Sequence, residues 1–295
     1  MNSIGFFLMG KKGLSVLNGI IKGNPEYLET INFIVCAKDK SIENDYYNEI
    51  KDYSKRYGIK FFNRKEVTVS TLESNYSFAI GWRWLIRDIS SNLIVLHDSL
   101  LPKYRGFNPL VTALIEGDKK IGVTAIEANE EFDSGDIYDQ RVIEIDYPIR
   151  IKEAIDLISD LYIDITLNLI KKIREKNLRS FKQDESKVSY SIWRNEEDYR
   201  VEWDQSSDRI ERFVNAVGFP YKGAVTSYNG KRIRLVEVKS EDDLPIINRK
   251  PGKILKIKGN YPFVVCEKGL IKIIEARLEK DGSIFKFDRL RVRLK

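Results

Sequence analysis

The chain holds a single histidine in 295 residues. His97 closes an apolar run over 93–97 and opens Leu96-His97-Asp98-Ser99-Leu100-Leu101-Pro102-Lys103-Tyr104-Arg105-Gly106, where proline and glycine interrupt regular structure. An imidazole titrates near neutrality and can exchange protons with an amine or its adduct. Taken alone, His97 reads equally well as a satisfied structural histidine. A second cluster, Gly10-Lys11-Lys12-Gly13, follows the apolar run 4–9 at the head of a helical pattern. Its backbone amides and lysines could hold an acceptor phosphate, although it matches neither the dinucleotide nor the Walker fingerprint. An ordinary turn accounts for it as well. One histidine and two cysteines far apart in sequence offer no credible metal site.

The elements that would position these residues follow from periodicity. Apolar runs over 4–9, 31–37, 78–82 and 93–97 predict strands, and the segments 14–21 and 44–57 predict helices. Strands separated by helices predict an α/β domain, a mostly parallel Rossmann-like sheet with ligands at the carboxyl ends of its strands. His97 falls at such an end. Two further strands are expected over 121–128 and 137–145. Ile155, Ile158, Leu161, Ile165, Leu169 and Ile173 have the spacing of a long amphipathic helix. The periodicity fails from 177 to 191, which places a boundary between a domain over 1–185 and a smaller one over 186–295. In the second, a helix over 206–217 precedes short strands over 224–228, 233–238, 252–257, 263–266 and 270–277. Asn229-Gly230, Pro251-Gly252 and Asp281-Gly282 supply turns. This pattern predicts a small, open OB-like β-barrel.

Composition narrows the function classes. Hydrophobic residues make up 42% and charged residues 32%, a soluble globular balance with core enough to need no disulfide. Cys36 and Cys266 read as buried thiols in a reducing compartment. No apolar run approaches the ~20 residues that span a bilayer. Met1-Asn2-Ser3-Ile4-Gly5 lacks the start of a signal peptide. The expectation is a cytoplasmic protein without a membrane partner. The net charge of +6 is uneven: from Ser189 onward, 23 Lys and Arg face 16 Asp and Glu, with Lys286, Arg289, Arg291, Arg293 and Lys295 at the tail. Such a patch attracts phosphates or nucleic acid and reads equally as a solvated surface.

The segment His97–Gly106, followed by Gly122-Val123-Thr124 and by Phe132-Asp133-Ser134-Gly135-Asp136-Ile137, closely resembles the folate-dependent formyltransferase family. Asp133 lies 36 residues after His97, the separation that the resemblance implies. The stretch from Val201-Glu202-Trp203 to Asn215-Ala216-Val217-Gly218-Phe219-Pro220-Tyr221-Lys222-Gly223-Ala224 resembles the C-terminal domain of the tRNA and sugar enzymes, which the purine-pathway enzyme lacks. The resemblance implies His97 and Asp133 as the catalytic pair. It implies folate contact at Gly81, Trp82, Arg83, Trp84, Leu85, Glu131 and Phe132. Acceptor contact is expected at Gly10, Lys11, Lys12, Ser99, Arg105 and Asn108. The implied reaction is attack of an acceptor amine on the formyl carbon of N10-formyltetrahydrofolate, without a metal or covalent enzyme intermediate. His97 handles protons, Asp133 orients it, and proximity does the rest. One position departs from the family: the asparagine usual two residues before the histidine is Val95. Losing such a donor costs about 2.7–4 kcal/mol of transition-state stabilisation. Asn108, the amides of the Ser99–Leu101 turn or a bound water are the candidates to replace it.

Within the family the expected acceptor is a nucleotide-linked amino sugar, by resemblance a UDP-linked 4-amino-4,6-dideoxyhexose of a surface-glycan pathway. A tRNA enzyme needs a basic surface along a phosphate backbone, whereas residues 38–50 are short and of mixed charge, so nucleic acid is not the expected partner. Methionyl-tRNA formyltransferase is the alternative, and a catalytically impaired folate- or sugar-binding module is the second. A homodimer is left open. If His97 and Asp133 are the catalytic pair, His97→Ala and Asp133→Ala each lose about 10²–10⁴-fold of formyl transfer while remaining folded. Near-normal turnover in either folded variant would remove the pair.

Overall fold

The alternating apolar runs of the first half become a seven-stranded sheet in a computed structural model that describes residues 2–40 and 42–295. Met1, in the stretch read against a signal peptide, and Ser41, within 38–50, lie outside the described residues. The order is β1 (Ile4–Leu8), α1 (Gly10–Gly23), β2 (Ile31–Cys36), α2 (Tyr47–Arg56), β3 (Lys60–Asn63), β4 (Tyr76–Ile80), β5 (Asn92–His97), β6 (Arg105–Gly106), α3 (Pro109–Glu116), β7 (Lys120–Glu127), β8 (Ile137–Glu144), α4 (Ile151–Arg174) and β9 (Tyr190–Ser191). There follow α5 (Ser207–Ala216), β10 (Ala224–Tyr228), β11 (Lys231–Glu241), β12 (Ile254–Lys258), β13 (Tyr261–Val265) and β14 (Leu270–Leu278). Two compact units result. One comprises Met1–Leu110, Lys120–Ile145 and Ala154–Ile192, the other Val111–Lys119, Asp146–Glu153 and Trp193–Lys295.

In the first unit the strand order is β3-β2-β1-β4-β5-β7-β8. The strands β1 to β5 pair in parallel, and β7 and β8 join in antiparallel. The result is the expected α/β, parallel-dominant Rossmann-like sheet. Its central strands are buried on both faces, with Phe6, Phe7, Ile34, Phe78, Ile80 and Ile94 almost inaccessible, which is why they read as continuous apolar runs. Along α4, Ile155, Ile158, Ile165, Leu169 and Ile173 are buried as the spacing requires. Leu161 is only half-buried, and its neighbour Tyr162 is buried instead.

The elements β3 and α3 have no counterpart among the expected elements. The β3 run has four residues with a polar one at each end. The α3 sequence PLVTALIE is apolar on most sides, so it carries no helical stripe, and only Pro109 at its start signals a helix.

The second unit holds a five-stranded antiparallel sheet in the order β10-β11-β14-β13-β12. The β10–β11 hairpin turns on Asn229 and Gly230, at φ 48° and 79°, as a two-residue turn demands. The Ser206 hydroxyl caps α5 by accepting from the Arg209 amide. Arg209 also pairs with Glu116 through two bonds of 2.8 Å, and Arg212 donates to the Ile115 carbonyl at 2.9 Å. Among the described residues no helix is long and apolar enough to cross a membrane.

The sheet register determines what surrounds the departure at Val95. Val95 lies between Ala79 of β4 and Ile126 of β7, and the period of two puts it on the same face as His97. Its side chain packs against Leu101, Ile126 and Ile137 and joins a cluster built on Phe7, Phe33 and Ala79, with Trp82, Ile86 and Ile89. An amide placed there meets apolar walls. Val95→Asn is therefore expected to destabilise the fold by about 1–3 kcal/mol, read as a lower denaturant midpoint, without raising turnover. A variant as stable as the parent would show that a polar partner is within reach.

Candidate active site

His97 ends β5 and is 7% exposed. Its Nε2 lies 2.8 Å from the Tyr104 carbonyl oxygen. A carbonyl can only accept, so Nε2 carries the hydrogen and the tautomer of the neutral ring follows from this bond. Nδ1 is then the nitrogen free to gain or lose a proton, and it faces Asp133 Oδ1 at 3.5 Å. The other Asp133 oxygen accepts from the Gly106 amide at 2.8 Å.

Two loops hold this pair. The first is the turn after β5. Ser99 Oγ donates to the Lys103 carbonyl at 2.6 Å, and Thr124 Oγ1 donates to the Ser99 carbonyl at 2.6 Å while accepting from the Leu101 amide at 3.1 Å. Gln140 Nε2 adds bonds to Thr124 Oγ1 and the Leu101 carbonyl. The Leu101 amide, expected as a substitute donor for the family asparagine, is thus already used. The short β6 then pairs with β9. The second loop carries Asp133 at φ 54°, a conformation that costs an L-residue roughly 1–2 kcal/mol. Gln183 Nε2 donates to the carbonyls of Asp133 and Gly135, both at 2.8 Å. Gly135 sits so close to the end of β7 that a Cβ there would lie 1.7 Å from the Glu127 carbonyl oxygen, which explains the glycine of the Asp133-Ser134-Gly135-Asp136 motif.

Arg105 is buried, with its guanidinium on Gln183 Oε1 at 2.9 and 3.1 Å and on Glu185 at 2.6 and 3.2 Å. Lys12 binds Asp98, which also accepts from the Tyr162 hydroxyl. The ammonium of Lys11 stands 5.8 Å from the Tyr46 ring centroid. Gly10 opens α1. Gly81 follows β4. Trp82 packs edge-on against Phe7 and Trp84, Arg83 pairs with Asp39 at 2.8 Å, and the Arg64 guanidinium lies 4.1 Å over Trp84. Leu85, Glu131 and Phe132 are exposed, and Phe132 meets Phe107 at 6.2 Å between centroids. Asn108 sits at φ 52° just ahead of α3. His97, Asp133 and Arg105 thus meet in one assembly through Gln183 and the Gly106 amide, while Ser99 shapes the adjoining turn. Thr124, from the Gly122-Val123-Thr124 segment, adjoins it, and Gln183, Gln140 and Tyr162 belong to it or adjoin it without having been singled out from the sequence. None of these three carries a local motif, and only the fold brings them near.

Two domain models match the chain, formyl transferase over residues 80–155 and formyl transferase, C-terminal domain, over residues 194–284. The methionyl-tRNA formyltransferase of Carboxydothermus hydrogenoformans is 31% identical over 186 residues, 62% of this chain and 59% of that protein. The match therefore spans less than two thirds of that relative's length. An N-formyltransferase from Helicobacter canadensis, solved with folinic acid and dTDP-3-aminofucose, is similar with a TM-score of 0.69 at 16% identity, over 92% of this chain and 99% of that one. HypX from Aquifex aeolicus, in complex with tetrahydrofolic acid, gives a TM-score of 0.61 at 18% identity, over 97% of this chain and 46% of that one. At these identities the two structures show a shared fold.

Asp98, next to His97 in sequence, anchors a second hydrogen-bonded cluster with Lys12 and Tyr162. Burial alone would raise its carboxyl, but the charge of Lys12 and hydrogen bonds from Lys12 and Tyr162 outweigh burial and hold it below the ordinary value of 3.8. Burial first, then the Asp98 charge, push the Tyr162 phenol well above its usual range. Because the folded carboxyl is more acidic than the unfolded one, the cluster stabilises the fold fully above the unfolded value, and that contribution fades as pH falls through the folded value. Asp98→Asn is expected to flatten the acid limb of a stability–pH curve below about pH 4. An unchanged acid limb would show that other carboxylates carry it.

Proposed function

Since the chain belongs to the formyltransferase family, we propose that it transfers the formyl group of N10-formyltetrahydrofolate to the amino group of a nucleotide-linked amino sugar. The observation that carries the reaction is the His97–Asp133 pair, with Nδ1 facing the carboxylate. Bound N10-formyltetrahydrofolate supplies the formyl carbon. Trp82 fits such a group: its indole Nε1 is buried with no partner among the described residues, a donor open to a heteroatom of a pterin. His97 Nδ1 takes the proton that the attacking amine sheds and returns it to the departing nitrogen, while the Tyr104 carbonyl holds the ring and Asp133 balances its transient charge. Val95 supplies no donor to the formyl oxygen, so Asn108 or the Ser99 or Leu100 amides are the groups assigned to it. Gly10 and Lys11 remain for an acceptor phosphate, Lys12 being bound to Asp98.

The sugar acceptor is supported by the shared fold with the Helicobacter canadensis enzyme, over 92% of this chain and 99% of that one, and by the mixed charge of residues 38–50. Within that class we assign a UDP-linked 4-amino-4,6-dideoxyhexose. Sequence identity to the Carboxydothermus hydrogenoformans protein and the basic C-terminal tail favour methionyl-tRNA as the second reading. A panel of nucleotide-linked amino sugars incubated with N10-formyltetrahydrofolate should yield a mass gain of one formyl group on at least one member. Methionyl-tRNA should be a poor substrate, with binding that weakens steeply as salt rises. Efficient formylation of methionyl-tRNA at physiological salt would transfer the assignment to the second reading. Folate binding without transfer to any acceptor would leave a binding module.

A further inference from the structure

We infer that Gln183 is a positioning residue for the Asp133–His97 pair, an inference that rests on the reading of Asp133 as the partner of His97. Both ends of its amide are used. Nε2 donates to the Asp133 and Gly135 carbonyls, each at 2.8 Å. Oε1 accepts from Arg105 Nε at 3.1 Å and Nη2 at 2.9 Å. Arg105 directly precedes Gly106, whose amide holds the Asp133 carboxylate. One buried amide thus braces the two loops that grip Asp133, from the backbone of its own turn and through the loop that supplies the Gly106 donor.

The chemistry asks for an amide. A carboxylate would suit the guanidinium but set oxygens against two carbonyls. An apolar side chain of the same length would leave two carbonyls and two guanidinium hydrogens without their partner. Asparagine is one methylene short. The segment that carries Gln183 is independently anchored. Phe181 and Ile137 exchange backbone bonds at 2.8 and 2.9 Å, the Arg105 amide donates to the Ser189 carbonyl at 2.9 Å, and the Phe107 amide donates to the Ser191 carbonyl at 3.0 Å. Removing the Gln183 amide therefore leaves the segment in place and releases the turn that holds Asp133 at positive φ.

The test uses the full chain with Gln183→Met, Gln183→Glu, Asp133→Asn and the two double variants. With an accepted acceptor, kcat is expected to fall ~10-fold or more in each Gln183 variant, since small misplacements of reacting groups are costly, while KM for both substrates stays near the parent value. In the Asp133→Asn background the Gln183 changes should cost nothing further, because the two act as a unit. The ring resonances of His97, the sole histidine, should move in Gln183→Met in the same direction as in Asp133→Asn at fixed pH. Losses that multiply in the double variants, or His97 resonances like the parent's while thermal stability drops, overturn the inference in favour of a structural role. If the parent transfers no formyl group to any acceptor, the functional reading fails, and the resonances still decide the positioning role. If Gln183→Met does not fold, Gln183→Glu is read in its place.

Discussion

A backbone carbonyl neither ionises nor rotates away, and the Tyr104 carbonyl is what receives the Nε2 hydrogen of His97. That bond fixes the orientation of the ring and its neutral tautomer together, and it leaves Nδ1 as the unprotonated nitrogen facing Asp133. The loop that carries Tyr104 must then be stiff, or the ring would drift with it. Here β6 pairs with β9, and Tyr104 donates its amide to Ser189 Oγ at 3.0 Å. Asp133 must meet Nδ1 from the other side, which forces its turn into a conformation that side chains dislike. The segment following α4 supplies the brace for both loops.

Polar groups near the strand ends are sorted into assemblies that do not share members. His97, Asp133 and the Gln183–Arg105–Glu185 chain form one; Asp98, Lys12 and Tyr162 form another, although Asp98 adjoins His97 in sequence. Two residues before His97, β5 presents Val95 to an apolar cluster. A cluster of aliphatic and aromatic side chains excludes water, and water exclusion strengthens the attraction of a charged imidazole for its carboxylate. Both cysteines stay outside this chemistry: burial pushes the thiols of Cys36 and Cys266 up to about 12, far from the thiolate form.

Where sequence reading succeeded, local pattern and tertiary role coincide. The run 93–97 ends in a histidine and is followed by turn formers, so strand and strand end could be read at once. The α4 stripe was legible for the same reason, yet it pointed to Leu161, while the residue that reaches Asp98 is Tyr162, one position along. A tyrosine is amphipathic, and periodicity alone does not say that its hydroxyl meets a buried carboxylate. Arg105 lies in the loop after β5, but its burial depends on Gln183 and Glu185 some 80 residues away, which no local pattern encodes. The polar stretch 177–191 showed no periodicity because it is held by isolated backbone pairings and side-chain bonds.

The second unit is not a contiguous tail. It includes Val111–Lys119 and Asp146–Glu153, drawn from between strands of the first unit's sequence, along with everything from Trp193. The bidentate pairing of Arg209 with Glu116 and the bond from Arg212 to the Ile115 carbonyl tie α5 to one of these inserted pieces. A gene fusion that swapped residues 193–295 as a cassette would leave their inserted partners behind in the recipient's upstream sequence. An exchange of this unit would keep these pairings only if the inserts and the tail moved together.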